Sequence, residues 1–228
     1  MKTCIFCHSP KLYVKSPTQY YCVTCKKVWS TLKHERDGYI LDAFLANESA
    51  FMCAQKHDLA YNTVKEVYQK LRLILSTYAQ EIYAKQTEAF SQYDEYYYLP
   101  NTKRHSKKYF FDAIGIFGML YKDNWIYTLL LPDQFSGMKR LMAHDEIETM
   151  EHDAYARFLQ RHKVARVSHF EHRLGEFWSY FELFMHHFKG VKKENLIYYL
   201  KEAEFKFNHT EKEQRLILET LWRKKFYM

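Results

Sequence analysis

Between Leu41 and Leu75 the apolar positions recur at spacings of three and four: Leu41, Phe44 and Leu45, then Phe51 and Met52, and after a break Leu59, Val64, Val67, Tyr68, Leu71 and Leu75. That spacing lines one face of amphipathic helices. His57-Asp58-Leu59-Ala60 fills the break, and Asn62 or Thr63 supplies a cap for a helix running to about Tyr78. Two helices joined by so short a turn make a helix-turn-helix candidate, and an ordinary helical hairpin is the competing reading. Downstream the pattern changes. Three β-rich runs, residues 89–100, 109–117 and 125–132, predict three consecutive strands in a meander. Helical periodicity returns over residues 136–144 and 153–159, residues 164–170 suit a further strand, and helices follow through 175–182, 193–207 and 211–226. A Thr210/Glu213 capping box opens the last of these. Strands first, then helices alternating with a strand, is the order of a ribonuclease-H-like α/β domain.

Composition narrows the class. The chain has 228 residues, 47% hydrophobic and 27% charged, with 6 Gly and 4 Pro. That is globular composition, not that of a collagenous or disordered chain. No stretch of 18 uncharged apolar residues exists and no apolar signal core follows Met1, so the sequence predicts a soluble, cytoplasmic protein with no membrane partner. The formal charge of +7 is unevenly spread: residues 1–80 carry 11 Lys and Arg against 6 Asp and Glu, the remainder 23 against 21. A basic front suits contact with a polyanion.

Candidate metal chemistry sits in that basic front. Cys4, Cys7, Cys22 and Cys25 form two C-x2-C pairs separated by fourteen residues, while Cys53 stands apart. Each pair turns two thiolates towards one ion, and two pairs close a tetrahedral site with no open position, which points to structural zinc; two disulfides are the alternative. Short strands are expected at residues 11–14, 18–21 and 28–30, the outline of a zinc ribbon. Exposed Lys11, Lys15, Lys26 and Lys27 are candidate phosphate contacts, and a protein-contact role is the competing use of such a ribbon. In the helix-turn-helix reading, Asn62, Thr63 and Lys65, with Arg72 further along the same helix, face double-stranded DNA.

The first strand of the meander carries adjacent acids, Asp94 and Glu95. Neighbouring side chains on a strand point to opposite faces, so the two occupy different environments. Lys103, Arg104, Lys107 and Lys108 crowd the following loop, as a phosphate-contacting segment or as a solvated charge run.

Taken together, these residues resemble the DDE transposases of bacterial insertion sequences that begin with a zinc ribbon. The resemblance extends over nearly the whole chain. It is carried by the four-cysteine head, by Tyr61-Asn62-Thr63-Val64-Lys65, by Tyr93-Asp94-Glu95-Tyr96-Tyr97, and by His152-Asp153-Ala154 ahead of Phe158-Leu159. The late block Leu174-Gly175-Glu176-Phe177-Trp178-Ser179 carries it too, with Phe188-Lys189-Gly190 and Glu202-Ala203-Glu204-Phe205-Lys206-Phe207-Asn208-His209. The resemblance implies a zinc ribbon over residues 1–34, a helix-turn-helix over 35–80, a ribonuclease-H-like catalytic domain over 85–210 and a C-terminal helix over 211–228. It further implies binding of element terminal repeats and target DNA, homo-oligomers on DNA, a nucleoid-associated location, and DNA cleavage and strand transfer with Mg2+ or Mn2+. Asp94 would be the first metal-binding acid and Asp153 the second. The family places its third acid three residues before the Trp and a Lys four after it, where this chain has Gly175 and Glu182. Glu176 is taken as the third catalytic acid, with Glu182 and Glu171 as alternatives; a catalytically inactive or domesticated DNA-binding protein is the alternative function.

Overall fold

A computed structural model describes residues 3–104, 109, 112–133 and 173–227. Asp153, Glu171, Lys107, Lys108, the helices expected over 136–144 and 153–159, and the strand expected over 164–170 lie outside the described residues. Among the described residues the fold is mixed α/β, with two three-stranded antiparallel sheets, ordered β1-β2-β3 and β4-β5-β6. The chain divides into two compact units, Met1–Leu71 with Lys212–Met228, and Arg72–Glu211.

The first unit opens with β1 (Leu12–Ser16), β2 (Gln19–Cys22) and β3 (Val28–Ser30). So small a sheet buries little: Tyr20 stacks on Trp29 at 5.1 Å, while Tyr13 and Val14 stay exposed. Three helices follow. Ser30 caps α1 (Thr31–Leu45) by accepting from the Lys33 amide, and Ser49 caps α2 (Ala50–Lys56) by accepting from the Met52 amide. Helix α1 starts ten positions ahead of Leu41, where the Ser30 cap sets it, and its polar first turns leave no apolar stripe to reveal them. The α2 helix ends in a turn where Asp58 adopts a positive φ of 50°, a conformation that Asp tolerates. Then α3 (Tyr61–Lys85) begins. Phe44 meets Tyr68 edge-on at 5.2 Å, and the Tyr68 hydroxyl donates to the Glu48 carbonyl, tying the α1–α2 connection to α3.

A final helix, designated α7 (Glu211–Phe226), belongs largely to this same first unit. It docks through polar anchors as well as apolar ones. Asp37 on α1 is 2% exposed, and its Oδ2 accepts from Trp222 Nε1 at 3.1 Å and from the Tyr227 hydroxyl at 2.6 Å. Arg36 contacts the other oxygen at 2.8 Å. A buried carboxylate is tolerated only when its lone pairs are filled, and here four donor atoms from three residues fill them.

In the second unit, β4 (Gln92–Tyr98), β5 (Ile114–Leu120) and β6 (Ile126–Leu130) form the expected meander. The short helix α4 (Asn101–Arg104) follows β4. The middle strand begins later than residue 109, since Asp112 turns aside to accept from Lys103 at 2.7 Å. Helices α5 (Arg173–His186) and α6 (Leu196–Asn208) pack on one sheet face. Phe177, Trp178, Phe181, Leu196 and Leu200 there join Tyr98, Ile114 and Ile116 in the core. The other face receives the later part of α3, where Ala79 meets Met119 and Tyr127.

Helix α6 also closes the open edge of β6, using side chains in place of a fourth strand. Asn208 donates to the Ile126 carbonyl at 2.7 Å and accepts from the Ile126 amide at 3.0 Å. Glu204 accepts from the Thr128 amide at 2.8 Å, and Lys201 donates to the Thr128 carbonyl at 2.7 Å. An edge strand's free amides and carbonyls are thereby satisfied, which removes a template for further pairing.

Candidate functional site

Among the described residues two groups of side chains carry chemistry, one in each unit. In the first unit the two C-x2-C turns have the same backbone construction. His8 and Lys26, each directly after the second cysteine of its pair, take positive φ values of 56° and 60°. Their amides bond back to the carbonyls of Cys4 and Cys22 at 2.9 and 2.8 Å. The Phe6 amide points at Cys4 Sγ and the Cys25 amide at Cys22 Sγ, at 3.4 and 3.5 Å. Amides aimed at sulfur favour thiolates: the Cys25 amide holds the Cys22 thiol down, to about 6, while burial pushes Cys25 up to about 12.

All four sulfurs lie within 4.8 Å of one another. The pairs Cys4–Cys25 and Cys7–Cys22 are 3.6 and 3.5 Å apart. A disulfide is about 2.05 Å long, and all five cysteines are free, so the disulfide alternative does not hold. Metal–sulfur bonds of about 2.3 Å place tetrahedral sulfurs about 3.8 Å apart, close to what is found. The four cysteines are therefore close enough together to hold a metal ion, with the geometry of a zinc ribbon. Cys53 is buried away from them.

Beside this ribbon in sequence, the start of α3 is open to solvent. Asn62 and Lys65 are exposed and Thr63 half-exposed, with Val64, Val67 and Tyr68 facing inward. Arg72 requires correction as a DNA contact. It is 7% exposed, donates to Glu202 at 2.7 Å, and lays its guanidinium 3.9 Å from the Tyr199 ring centre. Its face of α3 is the core-facing one, and the same Glu202 also accepts from Lys206 at 2.8 Å.

The second group surrounds Asp94 in the middle of β4. Asp94 and Glu95 do point to opposite faces, with Asp94 on the side covered by α5. Asp94 Oδ1 accepts from the Glu95 amide at 2.9 Å and Oδ2 from Trp178 Nε1 at 3.1 Å. The structure places Glu176 elsewhere. Two residues before Trp178, it lies about 200° around the helix, with a side chain 61% exposed and an ion pair to Arg173 at 3.6 Å. Gly175, in the position where the resemblance calls for an acid, is buried and has no carboxylate to offer.

Glu182 shares the Trp178 face of α5 but is engaged by Arg104, whose Nη2 reaches its two oxygens at 2.6 and 2.7 Å. Burial pushes this carboxyl up, to about 7, and pulls the guanidinium down. The paired charge-assisted bonds act in the opposite sense, favouring the ionised pair. Arg104 donates as well to the Leu99 carbonyl at 2.7 Å. Both described cations of the basic loop, Lys103 and Arg104, thus have partners within their own unit. Among the described residues the four cysteines are the one cluster of three or more metal-ligating side chains.

Compared with protein-family models, with curated proteins and with solved structures, the chain matches none. No described helix is long and apolar enough to cross a membrane. Sequence reasoning missed Trp178 as a partner of Asp94 and Asp37 as the anchor of α7; for Asp94 the signal was an acid set among tyrosines, and Asp37 carried none.

Proposed function

We propose that this chain is a DNA-binding protein of the transposase type. The first unit recognises double-stranded DNA at the ends of an insertion sequence, and the second is a ribonuclease-H-like core in which Asp94 and Asp153 serve as acids for Mg2+ or Mn2+. The observation that carries the reading is the pairing, within one compact unit, of a four-cysteine site with an α2-turn-α3 arrangement whose leading turn exposes Asn62 and Lys65. Helix N-terminal turns of this kind present side chains to the major groove, and Lys65 adds a charge for a phosphate. Zinc is the metal that suits four thiolates in a closed tetrahedron, where it has a structural role.

Divalent ions held by Asp94 and Asp153 would supply activation of the attacking oxygen and stabilisation of the leaving one in phosphoryl transfer. On the protein side, Asp94 is held in one orientation by the Glu95 amide and the Trp178 indole. One specific observation favours a second reading, a protein that binds DNA without cutting it: α5 brings Gly175, not an acid, to the buried face, and turns Glu176 to solvent. Incubating the full chain with duplexes carrying its own element ends, with Mg2+ or Mn2+, separates the two. Nicking that disappears in Asp94→Asn supports the transposase; end-specific binding with no nicking supports the binding protein; and no preference for the ends contradicts both.

A further inference from the structure

We infer that Trp178 is a positioning residue for the Asp94 carboxylate, and that Gly118 is the residue that lets the indole reach it. The inference rests on the proposed role of Asp94 as a cation-binding acid. Its geometry is independent of that role. In the β4–β5 register Asp94 lies directly opposite Gly118, and Gly118 lies opposite Thr128 on β6, so the three form one row on the α5 side of the sheet. Directly opposed residues on antiparallel strands share a face.

Trp178, 1% exposed, lies across the middle of that row. A Cβ at position 118 would stand 2.6 Å from Trp178 Cζ2 and 3.0 Å from Cη2, closer than side chains pack. The glycine is thus a slot for the six-membered ring. On β4, Tyr96 stacks on the indole at 4.9 Å with 12° between the planes. With the ring seated on Gly118 and stacked on Tyr96, its N–H points along the row to Asp94 Oδ2.

The chemistry of the donors matters. An arginine or lysine in this place would neutralise the carboxylate, as Arg104 does for Glu182. Trp178 and the Glu95 amide are neutral donors and bring no compensating charge to Asp94. Each donor takes one lone pair of one oxygen, and an ionised carboxylate has about four acceptor positions. The remainder are left for a cation in a fixed orientation, the arrangement by which outer partners raise metal affinity.

The test uses the full chain, whose 4 Trp give four indole N–H signals in a nitrogen–proton correlation spectrum, with Trp178→Phe identifying the relevant one. Asp94→Asn preserves shape and removes charge, so it is expected to move the Trp178 signal and leave those of Trp29, Trp125 and Trp222 in place. Gly118→Ala is expected to move the same signal. Mn2+ should broaden the Trp178 signal in the unmodified chain and not in Asp94→Asn. Trp178→Phe should weaken the Asp94-dependent Mn2+ binding by about tenfold or more. An unmoved Trp178 signal in Asp94→Asn, or undiminished Mn2+ affinity in Trp178→Phe, overturns the positioning role. A signal that responds to Asp94→Asn while Mn2+ leaves it sharp in every form overturns cation binding at Asp94 and leaves the Trp178 bond established.

Discussion

Tyr227 donates a 2.6 Å hydrogen bond to Asp37, 190 positions earlier in the chain. Trp222 adds a second donor to the same carboxylate oxygen at 3.1 Å. Helix α7 is therefore a working part of the first unit, held to α1 by a buried acid. Tyr227→Phe leaves the carboxylate one donor short, and Asp37→Ala leaves two aromatic donors without their acceptor. Each is expected to cost about 1–3 kcal/mol, because an unsatisfied buried group carries its full desolvation penalty. Chemical denaturation checks this; Asp37→Asn, which keeps an acceptor, should fall between wild type and Asp37→Ala. Equal stability of all four forms would contradict the anchoring role.

One zinc ion per chain is expected at the four cysteines, by metal analysis of the purified protein. Cys22→Ser should lose the ion and destabilise the ribbon, since β1–β3 bury too little to fold unaided. Cys53→Ser should keep it, as Cys53 lies outside the cluster. Metal retained in Cys22→Ser would refute the assignment.

Two basic residues of α3 should behave in opposite ways. Removing Arg72 leaves Glu202, 0% exposed, with one of its cations missing, so Arg72→Ala is expected to cost about 3–5 kcal/mol in stability. Lys65→Ala removes an exposed charge. It should change stability by no more than about 0.5 kcal/mol, while reducing the salt slope of DNA binding by about one. Thermal melts and salt titrations read the two effects separately.

Glu176→Gln is expected to leave both stability and any divalent-dependent nicking unchanged, because the side chain is exposed and points away from the face that meets Asp94. Asp94→Asn is expected to abolish nicking while DNA binding persists. A loss of nicking in Glu176→Gln with binding intact would restore Glu176 as the third acid.

The legible parts of the sequence were those with local periodicity or spacing. The paired C-x2-C turns, the α2–α3 break at His57-Asp58 and the three strands of the meander each carry their signal within a few residues. Arg72 was misread because its partner Glu202 is 130 positions away, and one helix stripe does not say which of its cations is covered. The docking of α7 and the Trp178–Asp94 bond were hidden for the same reason. Each depends on tertiary pairing of a polar atom with an aromatic donor, and neither leaves a periodic trace. For Glu176 the difficulty was rotational: one residue along a helix is about 100°, enough to move an acid from the sheet to solvent.

The most direct test is binding of the full chain to duplexes carrying the proposed element ends against scrambled duplexes, across a range of salt, with and without a metal chelator. Tighter binding to the ends is expected, with an affinity that falls steeply with salt as counterions are released, and with loss of the preference in Lys65→Ala combined with Asn62→Ala and on chelation. Equal binding to both duplexes, or a preference that survives both changes, would contradict the proposed recognition of the ends.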